Sequence, residues 1–242
     1  MPVQTFPITL QESTYISPLV KHFTFITEHD FNFTAGQFIT IHFEREGKTL
    51  RRSYSLANKP SNDNKIEFAA GFVENGPGTQ LLFNLQPGDT ININGPFGRL
   101  ILKEEPVKRY ILMATSTGTT PYLSMLDEIA QRLEQRPELE VVVIQGVQKK
   151  EDLLYGTDFQ AFAIEHPRFQ FRAHYSREQD NDLNEFEYKG YVQTAFDSLN
   201  LDPENDIVYL CGNPAMIDDS FEQLKSLGFT IANIRREKYI SR

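Results

Sequence analysis

The chain has 242 residues, of which 40% are hydrophobic, 12% aromatic and 24% charged, values that exclude a disordered protein. Its length accommodates two domains of roughly 100–150 residues each. A net charge of −9 excludes nonspecific nucleic-acid binding, and one cysteine, Cys211, excludes an internal disulfide, a zinc site or an iron–sulfur cluster built by this chain alone.

The first ten residues contain neither a basic leader nor a long apolar run, and no stretch approaches the ~18 apolar residues of a membrane span. A soluble cytoplasmic protein is expected, with no membrane span and no metal site. The first hundred residues alternate in short segments, the pattern of an antiparallel barrel. Expected strands are Val3–Leu10, His22–Thr27, Gln37–Phe43, Leu50–Leu56, Lys65–Val73 and Asp89–Asn94, with one short helix over Thr79–Leu85.

From Tyr110 the pattern changes to strands alternating with helices. Strands are expected at Tyr110–Ala114, Glu140–Gln145, Phe169–His174, Ile207–Cys211 and Phe229–Ile234. Helices are expected from Tyr122 to Leu133, then over Asp158–Glu165, Val192–Leu199 and Ala215–Leu227. Such crossovers imply a mostly parallel sheet covered on both faces. The charged stretch Lys103–Lys108 divides the chain into domains at 1–104 and 105–242.

Five motifs could carry chemistry. Strand alternation puts Arg52 and Tyr54 of Arg52-Ser53-Tyr54-Ser55 on one face, a guanidinium for a pyrophosphate and an aromatic face for a planar ring. The same four residues also suit an ordinary exposed strand. Gly76-Pro77-Gly78-Thr79 suits phosphate at a helix start, or a plain turn with Thr79 as N-cap. Thr115-Ser116-Thr117-Gly118-Thr119-Thr120-Pro121 joins a strand to a helix and lacks the dinucleotide fingerprint of three spaced glycines. Ser176-Arg177-Glu178 offers a phosphate ligand or a simple ion pair. Cys211-Gly212-Asn213-Pro214-Ala215-Met216 combines a cysteine of the kind usually buried with a glycine that lets a flat ring approach.

In this order the five motifs resemble the ferredoxin–NADP reductase family, bacterial type, over essentially the whole chain. The resemblance implies two domains: an antiparallel β-barrel FAD domain, then an α/β Rossmann-like parallel-sheet NAD(P) domain. It implies hydride transfer between NADP(H) and flavin N5, coupled to single-electron steps with ferredoxin or flavodoxin, by a monomer. By position, Arg52 binds the FAD pyrophosphate, Tyr54 stacks on the isoalloxazine, Ser55 lies near N5, and Ser53, Gly71, Val73, Gly76, Gly78 and Thr79 complete the FAD site. Thr117, Gly118, Gly212 and Met216 meet the nicotinamide nucleotide. Ser176 and Arg177 take the 2′-phosphate, and Tyr239 covers a flavin face. Ser55, Cys211 and Glu237 are the catalytic-site residues, as positioning or tuning groups. A ferredoxin is usually acidic, so Lys48, Arg51 and nearby lysines are candidates for its docking face.

Three positions depart from the family pattern. Ser116 stands where glycine is common, and Gln148 and Tyr191 stand where arginines help grip the 2′-phosphate. Lysines 149, 150 and 189 are possible substitutes, and NAD(H) is the alternative nucleotide. Rival functions are the reductase component of an oxygenase, a flavin reductase and a non-catalytic flavin-binding module. The electron-transfer subunit of a dihydroorotate dehydrogenase would carry cysteines after Cys211, and none follows.

Overall fold

A computed structural model describes residues 5–179 and 182–239, which divide into two compact units. The first comprises residues 5–102 with Thr120–Met125, and the second comprises Lys103–Thr119 with residues 126–239.

The first unit is one six-stranded antiparallel sheet made of β1 (Thr5–Ser17), β2 (Val20–Ile26), β3 (Phe38–Arg45), β4 (Lys48–Ser55), β5 (Lys65–Gly71) and β6 (Thr90–Phe97). Their spatial order is β4-β3-β6-β1-β2-β5. The sheet curls onto itself where Leu56 bridges Phe68 and the Ala57 amide donates to the Glu67 carbonyl at 2.7 Å. Alternation explains the core: Phe6, Ile8 and Leu10 of β1 point inward with Ile39, Ile41, Ile91 and Ile93. Phenylalanines do the work of the missing tryptophan, with the Phe25 ring stacked on Phe68 at 5.5 Å and 10°. Each such ring, fully buried, contributes roughly 1.5–3 kcal/mol. Helix α1 (Pro77–Asn84) closes over this core through Leu82.

The second unit is a six-stranded parallel sheet of β7 (Arg109–Thr115), β8 (Glu140–Val147), β9 (Phe169–Tyr175), β10 (Glu187–Lys189), β11 (Asp206–Gly212) and β12 (Ile234–Lys238). The order β10-β9-β8-β7-β11-β12 means the chain winds outward from β7 to β10, then returns to the other side of β7. The centre of the sheet is buried on both faces, and β11 is buried along its whole length. Lys103 is tied into this unit, its amide donating to the Tyr209 hydroxyl at 2.9 Å and its carbonyl accepting from the Tyr110 hydroxyl at 2.6 Å. Among the described residues no helix is long and apolar enough to cross a membrane.

The first strand, expected over Val3–Leu10, runs on to Ser17 as β1, its residues 3 and 4 lying outside the described residues, and three further expectations differ from the structure. The helix read from Tyr122 to Leu133 is two pieces, α2 (Thr120–Ser124) and α3 (Leu126–Gln135). Ser124 explains the break: its hydroxyl donates to the Pro121 carbonyl and accepts the Gly36 amide at 3.0 Å, which holds α2 within the first unit.

The strand read at Phe229–Ile234 begins only at Ile234. Helix α6 (Pro214–Ser226) ends in a Schellman motif, with the Gly228 amide donating to Lys225 and the Phe229 amide to Leu224. Phe229 is therefore buried as part of a helix stop. The segment read as helix Val192–Leu199 opens as a 3₁₀ turn and becomes α5 (Phe196–Leu199), while α4 (Gly156–Glu165) lies close to its expected place.

Candidate cofactor and dinucleotide sites

In the barrel, alternation along β4 places Arg52 and Tyr54 on one face, both half-buried, opposite Ile41 and Ile39 of β3. The Tyr54 ring stacks on Phe68 at 4.9 Å and 26°. Burial pushes its phenol up to about 12, against a smaller downward pull from Arg52, so the ring stays neutral. Gly78, in the first turn of α1, lies against the same two side chains. A Cβ there would meet Arg52 Cγ at 2.8 Å and the Tyr54 hydroxyl at 3.2 Å. Three sequence-distant residues thus form one cradle.

The start of α1 carries no side-chain cap and no acidic residue in its first turn. Its leading amides have no partners within the helix and attract an anion. Gly76, not Thr79, is the N-cap. The Thr79 hydroxyl instead donates within 2.9–3.0 Å of the Val73 and Gly76 carbonyls, and the Gly76 amide donates to Val73. Val73, Gly76 and Thr79 are therefore one self-bonded loop following Gly71, the last residue of β5. Ser53 faces the other way, its hydroxyl 3.0 Å from that of Thr40, so only its main chain adjoins the Arg52 side. Ser55 is buried opposite Phe38.

In the second unit, β7 and β11 are neighbours at the point where the winding reverses, the usual ligand position at a sheet's carboxyl edge. Gly118 packs directly under the next strand: a Cβ on it would meet the Cys211 carbonyl oxygen at 2.4 Å. The Thr115 hydroxyl accepts the Asn213 amide at 2.9 Å, fixing the two strand ends together. Thr117 is half-buried, while the Thr119 hydroxyl is fully buried and has no hydrogen-bond partner among the described residues.

Cys211 is completely buried. Burial, reinforced by the Glu237 carboxylate, raises its thiol well above the ordinary value, opposed by a hydrogen bond with the Tyr239 side chain. The sulfur is therefore a neutral thiol at physiological pH. Strand β12 supplies these neighbours: Glu237 is in register with Cys211, and the Tyr239 amide donates to the Gly212 carbonyl at 2.8 Å.

Cys211, Gly212, Glu237, Tyr239 and Gly118 converge; Met216 does not join them through its side chain. Its thioether lies in the core and accepts the Ser220 hydroxyl at 3.6 Å, and its amide donates to Asn213 Oδ1 at 3.3 Å. Sequence reasoning passed over Asn213 itself, although an asparagine just before Pro214 is a readable N-cap signal. Residues 240–242, which follow Tyr239, lie outside the described residues.

Ser176 and Arg177 follow β9, with the Arg177 amide donating to the Gln148 carbonyl at 2.8 Å. Arg177, Gln148 and Tyr191 are all exposed at the carboxyl edge of β8, β9 and β10. The Arg177 side chain makes no ion pair among the described residues. The three nearby lysines are engaged: Lys149 with Glu151 at 3.5 Å, Lys150 with Glu187 at 3.5 Å, and Lys189 with the Gln179 carbonyl at 3.4 Å.

The family described as oxidoreductase FAD-binding domain matches residues 7–101, and the family described as oxidoreductase NAD-binding domain matches residues 112–221. The ferredoxin–NADP reductase of Azotobacter vinelandii is 30% identical over 219 residues, 83% of this chain and 81% of that protein. The reductase component of the phenol 2-monooxygenase of a Pseudomonas species is 27% identical over 92% of this chain, which spans only 62% of that protein's length. A ferredoxin NADP+ reductase from Neisseria gonorrhoeae, solved with bound FAD and NADP, has the same fold: TM-score 0.83, 24% identity, covering 98% of this chain and 99% of that one.

Proposed function

The chain belongs to the ferredoxin–NADP reductase family of FAD- and nicotinamide-linked oxidoreductases, and from that premise we propose that it moves electrons between NADP(H) and a separate one-electron carrier, ferredoxin or flavodoxin. NAD(H) is the alternative nucleotide. The observation that carries the reading is the cradle of Arg52, Tyr54 and Gly78 beside an uncapped helix start. FAD, when bound, supplies the exchange between a two-electron donor and one-electron partners.

The chain's own residues bind and orient. Arg52 and the first amides of α1 hold the diphosphate, assisted by the loop of Gly71, Val73, Gly76 and Thr79. Tyr54, neutral and braced by Phe68, offers its ring for stacking, and Ser53 and Ser55 line the same strand. Thr117, Gly118 and Gly212 receive the nicotinamide nucleotide. Ser176 and Arg177 meet its adenosine end. Cys211 as a neutral thiol keeps the floor of that site apolar, and Glu237 and Tyr239 set its polarity. Met216 supports the site from the core.

The carrier docks on the exposed hairpin that carries Lys48 and Arg51, where complementary charge steers an acidic protein. A monomer in the cytoplasm completes the reading, in keeping with one buried free thiol. A second reading, a reductase serving an oxygenase, has support from the likeness to the phenol monooxygenase component. The test is purification followed by an absorption spectrum and cofactor release. A yellow protein that NADPH bleaches, and that then reduces ferredoxin or flavodoxin, supports the first reading. Colourless protein overturns both.

A further inference from the structure

The second sheet holds a buried carboxylate that none of the binding residues above accounts for. Glu187, the first residue of β10, is 9% exposed. One of its oxygens accepts the Tyr175 hydroxyl at 2.7 Å. The other accepts the Asn184 amide at 2.9 Å and side-chain nitrogen at 3.1 Å, with Lys150 Nζ 3.5 Å away. Burial pushes this carboxyl up, but the bonds from Asn184 and Tyr175 and the charge of Lys150 together hold it below its ordinary value, so it is ionised at neutral pH.

A buried charge is a poor source of stability, since apolar packing of the same volume often does as well or better. What several directed contacts to one carboxylate give is a single geometry. The strand β10 needs that help, because with three residues it brings few ladder bonds of its own. The donors come from three separate segments. Tyr175 ends β9, Asn184 precedes β10, and Lys150 opens the 3₁₀ turn Lys150–Asp152 that follows β8.

The segment these ties enclose is the one that carries Arg177, two residues after Tyr175. Its main chain is sewn to the exit of β8, the Ser176 amide donating to the Val147 carbonyl at 3.0 Å and the Arg177 amide to that of Gln148 at 2.8 Å. Beyond it, the Glu178 carboxylate accepts the Lys150 amide at 3.1 Å. The Arg177 backbone is therefore held from both sides, by Tyr175 through Glu187 and by Glu178 through Lys150, while its side chain is exposed. A long, exposed cation binds a phosphate tightly only where its backbone is already in place, since ordering it otherwise falls on the binding step.

We propose that Glu187 is a positioning residue for dinucleotide binding: its carboxylate, bonded to Tyr175, Asn184 and Lys150, fixes the segment that presents Arg177 to the nucleotide. The proposal rests on the reductase reading above, in which Arg177 meets the adenosine end. A double-mutant cycle separates it from a purely structural role, because two residues that act through one contact are not additive. Isothermal titration of the flavin-loaded protein with NADP+ supplies the affinities. Glu187→Gln keeps the side chain's size but turns an amide nitrogen towards the donors, and should weaken NADP+ about tenfold with flavin content unchanged. Arg177→Ala should weaken it by about the same factor. The double variant should bind within about twofold of Arg177→Ala alone.

Independent losses that multiply to about a hundredfold would overturn the proposal and leave the reductase reading intact. So would a Glu187→Gln variant that binds NADP+ as its parent does. Should Glu187→Gln fail to fold, Tyr175→Phe removes only the hydroxyl and carries the same cycle, with about threefold weaker binding in the parent and none further beside Arg177→Ala. Parental affinity in Tyr175→Phe would then count against the proposal. A protein that purifies without flavin and binds no NADP+ brings down the reductase reading, and this inference with it.

Discussion

Gly118 lies so close to Cys211 that a methyl group on its Cα would sit 2.4 Å from the Cys211 carbonyl oxygen and 2.8 Å from the Gly212 Cα. Both obstacles are main chain in the strand β11 and its exit, so neither swings aside as a side-chain tip would. Gly118→Ala is expected to part the ends of β7 and β11, costing about 1–3 kcal/mol and at least tenfold in dinucleotide affinity. Flavin content is expected to be normal, since the barrel is untouched. A variant that melts and binds like its parent would show that this junction yields.

Ser116 next to it has the opposite problem. It holds a φ of +48°, the left-handed region that costs an L-residue about 1–2 kcal/mol. Glycine escapes that cost but gives back roughly 0.5–1 kcal/mol in backbone entropy. Ser116→Gly should therefore stabilise the protein by about 0.5–1 kcal/mol, read as a higher denaturant midpoint with an unchanged slope. Ser116, where the resemblance implies a glycine, is thus a strained position. A lower midpoint would mean that the Ser116 side chain contributes more than the strain removes.

What was legible in the sequence was whatever short-range pattern alone dictates. Alternation around Tyr54 and Arg52 fixed their shared face, and the small residues after β7 and β11 marked the ligand edge. Phe229 misled because an apolar residue after a helix reads alike as a strand start or as the buried stop of a Schellman motif. Helix periodicity ran through Met125 because the break depends on Gly36, nearly ninety positions away, bonding to Ser124. The commitment of Lys150 to Glu187 and the loss of the Met216 thioether to the core are also long-range facts. No local pattern carries them.

Gly78 and Tyr54 give a paired test of the barrel site. A Cβ on Gly78 would press on Arg52 Cγ at 2.8 Å, so Gly78→Ala should displace the guanidinium and lower flavin occupancy of the purified protein. Tyr54→Ala should lower it further by removing the ring that stacks on Phe68, whereas Tyr54→Phe keeps the stack and most of the flavin. The readout is the ratio of flavin to protein absorbance, with an expected loss of about tenfold in affinity for Tyr54→Ala and a smaller one for Gly78→Ala. Equal flavin content in Tyr54→Ala and Tyr54→Phe would remove the ring from the binding account.

The last prediction concerns acid. His174 in β9 is buried with its Nε2 lacking a hydrogen-bond partner among the described residues. Burial first, and the Arg172 guanidinium second, bring its pKa from 6.5 down to about 4. The unfolded chain takes up a proton near pH 6.5 while the native ring refuses one until near pH 4. The neutral ring's contribution is therefore complete above about 6.5 and is lost as the pH falls toward 4. At about 1.4 kcal/mol per pH unit, that loss amounts to roughly 3 kcal/mol at most. His174→Phe keeps a ring against Tyr188 and cannot titrate. Its stability should fall less than the parent's between pH 7 and pH 4.5, by about 2 kcal/mol. Glu187, Asp202 and Asp63, whose carboxyls are held below their ordinary values, add the same acid loss to both proteins and cancel in the comparison. Urea unfolding at the two pH values gives the difference directly, and parallel losses would mean that His174 protonates in the native state as readily as it does in the unfolded chain.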